Sequence, residues 1–556
     1  MENTKIWQLY EAGKNYNSSL EPDYYDVLEL GINYVEGNHW IGMEDVEFPK
    51  ATFNFEKRFV NLVTSILSAA KVAISIEPYS ISAGDDIKET ASITESAVKS
   101  FFEMNNFDAF KRARVRDAAV LGDVSAHYLF DPEKKTQLGA VGEIMMEKVY
   151  GYNFFPGNTT NNEMTKEVQP YILVVGRDFV KNLQEEAKSY GKSDAKIFPD
   201  DADERGRLEN YYENSATGYE MATYVYKYEF DGDELVCSKS TQNCDIFEDQ
   251  RMEMNRYPVP FLLWEEQYNQ FHGRSYVADI HHVQNYINRQ FALLMYWTMS
   301  VAYGKPIYNG DYIPGGWSTG LGEAIEVRGL EPGMRLTDVA TNWKPASISG
   351  FIVETIELAL QYMKEALGIS DALLGNVNPE NKGAIVVASK NTQAPLENQK
   401  ERIRQWVEQQ VYVVIEMMAA KYGVRDVLVR TEEGNELVEF DFDRLKDVSL
   451  NVKVEIGDAS YFNEIAVTQT LDNMLGNEVI DVLQYLERLP DIIPDKEGLI
   501  KDFKQRTQGM GNAEALSEEE LAKMEEFFMS LPEEKQAEIA ALPSEQQADA
   551  VRALMQ

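Results

Sequence analysis

Between Asn54 and Pro78 the apolar positions change period. Phe55, Phe59, Leu62, Val63, Ile66 and Leu67 recur at helical spacing, and Val72, Ala73, Ile74, Ser75 and Ile76 then read as a strand that Pro78 ends. From about Val141 to Leu263, alternating and aromatic segments such as Met221 to Phe230 are separated by acidic and Gly-containing turns. That stretch is expected to be β-rich, within an α+β domain. After Gly273 the period lengthens again: Val283, Ile287, Phe291, Leu294, Trp297 and Val301 fall along one face of a long helix that Gly304 and Pro306 end. Residues 304–350, with Pro314, Gly315, Gly316, Pro332, Gly333 and Pro345 around short apolar runs, suit a compact insertion of strands and turns.

A second helix should carry Ile352, Ile356, Ala359, Met363 and Ala366 on one face, with Gly368 as its C-cap. Leu373 to Gly383 (LLGNVNPENKG) reads as a loop. A very long helical pattern with Leu396, Ile403, Trp406, Val407, Val414 and Met417 then runs to Lys421 and stops at Gly423. Pro395 lacks the amide hydrogen and crowds the preceding turn, so that helix should start or kink there. Alternation returns over residues 424–465, and residues 466–489 are expected to be helical. Residues 511–556 read as an acidic, helical extension in which Leu531-Pro532 and Leu542-Pro543 each suit the first turn of a short helix.

Composition narrows the function classes. The chain has 556 residues, 44% of them hydrophobic, enough for a sizeable core and about three or four domain-sized units. It carries 53 Lys and Arg against 92 Asp and Glu, a formal net charge of -39, which argues against a tight, static grip on nucleic acid or anionic lipid while allowing transient passage of DNA. Cys237 and Cys244 lack the neighbours of a zinc site and are expected to be free thiols in a reducing compartment. The N-terminal segment MENTKIWQLYEAGKNY has no basic stretch followed by an apolar core, so synthesis and assembly in the cytoplasm are expected. The most apolar stretch, Phe291 to Tyr303, is shorter than the ~18 residues of a membrane span and is expected to be a buried or subunit-facing helix.

Candidate chemistry is sparse. Gly316-Trp317-Ser318-Thr319-Gly320 fits the pattern of a hydrolase nucleophile elbow, but that device needs a strand before the serine and a helix after it; here Pro314, Gly315 and Gly316 precede the serine and Gly322 breaks the stretch where the helix belongs. A turn is the better reading. Gly191-Lys192-Ser193 resembles the end of a phosphate loop, yet Glu186 stands where its first glycine belongs. His281 and His282 are adjacent on a helix, with side chains leaving it about 100° apart, and are expected to be surface or interface residues without a shared ion. No catalytic residue, metal site or cofactor is expected.

The order of helix, compact β insertion, helix, Asn/Pro/Gly loop and long kinked helix inside an α+β body resembles that of the portal proteins of tailed bacteriophages. Pro258 and Pro260 followed by Gly273, Ser275, Gln284, Ile287 and Asn288 look like the family's passage into its first stem helix. Ala366-Leu367-Gly368-Ile369 with Leu373-Leu374-Gly375 resembles the approach to its tunnel loop, and Asn54 to Pro78 its early helix and strand. The resemblance covers residues 50–510 and rests on this arrangement, the family having no catalytic signature.

The resemblance implies a homo-oligomeric ring, usually of twelve subunits, around a DNA channel at one capsid vertex of the virion. It implies a β-rich wing over residues 1–272, stem helices over 273–303 and 351–367, and a small β clip over 304–350. A tunnel loop over 368–385, a long kinked helix over 386–422, a wing return over 423–465, crown helices over 466–510 and the extension 511–556 complete the map. Implied partners are the large terminase subunit, the head-tail adaptor, the major capsid and scaffolding proteins, and double-stranded DNA in transit, with no membrane. Val283, Ile287, Phe291 and Leu294 are expected to pack against Ile352, Ile356, Ala359 and Met363, within or between subunits. Trp317, Arg328 and Arg335 would lie on the clip's docking surface, and Asn376, Asn378, Asn381 and Lys382 on the channel loop, where Lys382 would form a basic ring. The alternatives are another virion structural protein, such as an adaptor or scaffold, or an enzyme: the packaging ATPase, or a hydrolase using Ser318.

Overall fold

The computed structural model describes residues 3–42, 49–69, 72–80, 84–135, 141–192, 196–200, 220–302, 305–317, 324–343, 350–369, 396–431, 434–456, 468, 471–477, 479–489, 498–500 and 503. Helices dominate the start of the chain: α1 (Lys5–Ser19), α2 (Tyr24–Glu36), α3 (Phe55–Ala69), then strand β1 (Val72–Pro78), then α4 (Asp85–Met104) and α5 (Phe107–Leu121). Their ends are chemically marked. Thr4 Oγ accepts the Trp7 amide at the start of α1, the Asp23 carboxylate accepts the Tyr25 amide at the start of α2, and Gly37, at φ 99°, closes α2.

Antiparallel strands come next: β2 (Asp123–Lys135), β3 (Val141–Tyr150), β4 (Phe154–Pro156), β5 (Tyr171–Phe179), then helix α6 (Val180–Ser189), then β6 (Met221–Asp231), β7 (Glu234–Thr241), β8 (Asp245–Arg251) and β9 (Phe261–Leu263). They form a five-stranded sheet in the order β4-β5-β6-β7-β8 and a three-stranded sheet in the order β3-β2-β9. The run Ile172-Leu173-Val174-Val175 lacks polar alternation because both faces of β5 are covered. Ile172 and Val174 enter the main core, whereas Leu173 and Val175 pack with Ile6 and Trp7 of α1. The two sheets meet through aromatic and polar contacts: Phe154 stacks on Phe261 at 5.2 Å, and His127 Nε2 lies 2.6 Å from the Tyr228 hydroxyl.

The long helix α7 (Tyr276–Ala302) leads into β10 (Lys305–Tyr308), a four-residue helix α8 (Leu336–Val339) and β11 (Ala340–Trp343), which pairs with β10; α9 (Phe351–Ala366) then returns. Among the described residues of this small insertion, Ile313 and Val339 are buried. At the end of α9, Gly368 adopts φ 63° and its amide donates to the Glu365 carbonyl, while the Ile369 amide donates to Lys364, the capping expected of this glycine. Helix α10 (Glu397–Lys421) comes after it, then the hairpin β12 (Val424–Thr431) and β13 (Gly434–Asp441), and β14 (Leu450–Ile456), which pairs antiparallel with β1 across the length of the chain. Trp406, Val407, Val411 and Val414 of α10 are buried in the core.

These elements belong to one compact unit, residues 1–458, of α+β class; residues 459–556 form a second. In the second unit α11 (Val482–Arg488) starts at Asp481, whose carboxylate accepts the Gln484 amide, and Tyr485 donates to Asp472 at 2.6 Å.

Among the described residues of the first 121, five helices and one strand are found, and the strands concentrate between Asp123 and Leu263, where the β-rich stretch is expected. The expectations for Ser318, for the loop through Asn376, Asn378, Asn381 and Lys382, for a start or kink at Pro395 and for residues 511–556 fall outside the described residues.

Candidate functional site

Helix α7 is two helices in chemical terms. Tyr276, Val277, Ile280, Gln284, Ile287, Asn288 and Ala292 are buried, whereas Leu293, Met295, Tyr296, Met299 and Val301 are exposed.

The buried half starts at a backbone crossing that only glycine permits. A Cβ on Gly122 would sit 2.3 Å from the Gly273 carbonyl oxygen, and one on Gly273 would sit 2.4 Å from that of Gly122. The Asp123 carboxylate, wholly buried, then fixes the chain before α7: one oxygen accepts His272 Nδ1–H and the Gly273 amide, each at 3.0 Å, and the other faces the Tyr24 hydroxyl at 3.4 Å. Tyr24 also stacks on His272 at 3.9 Å, and burial, reinforced by Asp123, holds its phenol well above the usual range. Ser275 Oγ accepts the Ala278 amide and caps α7.

Two turns further, side-chain amides tie α7 to α2 and α3. Gln284 Oε1 accepts the Phe55 and Glu56 amides at 3.1 and 3.2 Å, capping α3, while its Nε2 donates to Phe53 and to Asn288 Oδ1. Asn288 Nδ2 donates to His39 Nδ1 at 2.7 Å. His39 Nε2–H therefore donates to the Tyr34 carbonyl, also at 2.7 Å, and burial lowers the imidazole pKa, favouring this neutral tautomer. Beside this network Glu56 is 0% exposed, neither of its carboxyl oxygens has a hydrogen-bond partner among the described residues, and burial pushes its pKa up to about 8.

The outer half of α7 is apolar and runs beside α9. From Gln290 to Gly304 the chain has no charged residue. Helix α9 packs along α7: Ile287, Ile356, Ala359 and Met363 are buried, Val283, Phe291 and Ile352 lean on the same core, and Leu294 is half-buried. Phe291 also meets Phe53 at 4.2 Å. The opposite faces include exposed apolar residues: Met299 is 51% exposed and Tyr362 58%, with Leu293, Met295, Val353 and Leu358 also exposed.

At the tip of the insertion Trp317 is exposed, 6.3 Å from the Tyr308 ring. Arg328 is exposed and forks onto Glu326 with two contacts of 2.9 Å. Arg335 is exposed, and its amide donates to Asp338 at the start of α8.

The other motifs resolve into local structure. Gly191-Lys192 lies just past the C-terminus of α6, where Lys192 Nζ meets Glu248 at 2.8 Å and the Asp245 carbonyl at 2.7 Å. A phosphate loop would instead precede a helix. The rings of His281 and His282 come within 3.7 Å, so their divergent Cα–Cβ directions do not keep them apart; His281 is half-buried and His282 exposed. Both cysteines are free, and burial raises the Cys237 thiol to about 12. Among the described residues no group of three or more His, Cys, Asp or Glu side chains could hold a metal ion, and no helix is long and apolar enough to cross a membrane.

Sequence reasoning picks out Gly273, Ser275, Gln284, Ile287 and Asn288, all at the root of α7. It misses Asp123, His272 and His39, whose partners are 149 and 249 positions away in the chain. The one local signal for them is a glycine beside each of Asp123 and His272, at the crossing itself. Compared with known proteins, the chain matches no model of a protein family and no curated protein.

Proposed function

We propose that the chain is the portal subunit of a tailed bacteriophage, a structural protein that forms a ring around the path of DNA at one capsid vertex. The observation that carries this reading is the α7–α9 hairpin: a root locked by Asp123, Gln284 and Asn288, and an outer half on which Leu293, Met295, Met299 and Leu358 are exposed in the subunit. Repeating the subunit around an axis would bury that face, since a heterologous contact that closes into a ring leaves none unmatched. The small β10–β11 insertion at the end of the hairpin would be the docking surface for the packaging motor and later the tail adaptor, with Trp317, Arg328 and Arg335 on it. The net charge of -39 per subunit suits passage of DNA with little sticking, since like charges repel at short range and salt confines the effect to about 8 Å. In this reading Lys382 supplies a weak, salt-sensitive phosphate contact in the channel.

Replacing residues 304–350 by a short Gly-Ser linker tests the reading. Rings should still form and binding to the large terminase subunit should be lost. Full-affinity binding by the linker variant would contradict it.

A further inference from the structure

Residues 111–116, Lys-Arg-Ala-Arg-Val-Arg, place four cations in six positions of a chain whose net charge is -39. Helix α5 sorts them into two pairs. Lys111 and Arg114 point inward and are 2% and 0% exposed. Lys111 is neutralised by Asp108 at 3.4 Å, and Arg114 pairs with Asp117, donates to the Val149 carbonyl and lies 4.6 Å from the centre of the Tyr150 ring. Arg112 and Arg116 point outward, are exposed, and make no ion pair or hydrogen bond among the described residues. Lys148, exposed on the neighbouring strand β3, joins them: it and Arg116 both act on the Asp117 carboxyl, already taken by Arg114. The face thus presents Arg112, Arg116 and Lys148 beside Asp117, which Arg114 pairs from within, and the exposed Asp108 one turn before Arg112, which faces the buried Lys111.

Residues one helical turn apart stand about 6 Å from each other at Cβ. Long guanidinium arms at that separation can reach successive phosphates of one nucleic-acid strand, and arginine's planar fork matches phosphate oxygens. A strand of phosphates supplies charge at the density that three aligned cations require, which dispersed surface carboxylates do not. We propose that the outer face of α5, with Arg112, Arg116 and Lys148, binds the phosphate backbone of double-stranded DNA without regard to sequence. The surface belongs to none of the elements assigned above to the channel or the clip, so the inference goes beyond the ring.

The test is fluorescence anisotropy of a labelled random-sequence duplex with the full chain, in wild-type form and as Arg112→Gln/Arg116→Gln/Lys148→Gln, over a series of salt concentrations. Glutamine keeps the helix and leaves the buried Lys111 and Arg114 untouched. Wild type should bind weakly, and the variant at least about ten-fold more weakly, with the slope of log affinity against log salt reduced by roughly 0.9 for each phosphate no longer neutralised. Inorganic phosphate should compete no better than sodium chloride at equal ionic strength. Stronger competition would identify a discrete small-anion site and overturn the inference. Wild type without duplex affinity, or a variant that binds like wild type, would also overturn it, as would a variant that changes only the size of the assembled particle, since the face then mates with protein. Rings without duplex affinity would remove this inference and leave the portal reading standing.

Discussion

Glu56 shows at the residue scale how burial acts on chemistry. Among the described residues its carboxyl has no hydrogen-bond partner, and its pKa is raised to about 8 against an ordinary value of 4.5. The folded state therefore holds a proton that the unfolded chain releases, and this contribution to stability is fully present below about pH 4.5 and lost as pH rises through about 8. Glu56→Gln removes the titration while keeping size and shape. Melting temperatures of the two forms should agree in acid, and the variant should gain by up to several kcal/mol at alkaline pH; parallel curves across the range would show that the carboxyl is solvated. Nothing in the sequence hints at this residue's state, because a glutamate two positions into a helix normally reads as solvent-facing and favourable to the helix dipole. Gln284 and Asn288 are recognisable as positions, but their role is not, since the groups they satisfy belong to α3 and to the chain between α2 and α3.

Element by element, legibility tracks hydrophobic contrast. Helices α3, α7, α9 and α10 are readable because large apolar residues recur at helical spacing, and β1, β6 and β14 because theirs alternate or run together. Helix α4 is not, because Thr90, Ala91, Thr94 and Ala97 contribute much of its buried face, and α5 is not, because Lys111 and Arg114 lie inside where a charged run suggests outside. The hairpin of α7 and α9 yields a paired prediction. Ile356→Asp places an unpaired charge where the side chain is 5% exposed, which costs several kcal/mol and should unfold the hairpin or the subunit. Met295→Ser with Met299→Ser changes residues exposed in the subunit and should leave its melting temperature within a degree or two, consistent with surface substitutions of about 0.5 kcal/mol. That double variant should nevertheless remain monomeric in sedimentation. Normal assembly by it would place the subunit contact elsewhere.

For the whole molecule, the α+β class and the order of helix, small β insertion and helix are legible, while the helical start and long-range ties such as that of Tyr128 to Gln410, 282 positions apart, are not. Assembly of the subunit would arise from a physical imbalance: a rigid root whose polar groups are satisfied at Asp123, Gln284 and Asn288, and an apolar outer hairpin left facing water. Closed repetition about an axis resolves that imbalance without open ends. The most direct measurement is negative-stain electron microscopy of the purified full chain. Rings of uniform diameter with an axial hole are predicted; monomers, or filaments without a hole, would contradict the account.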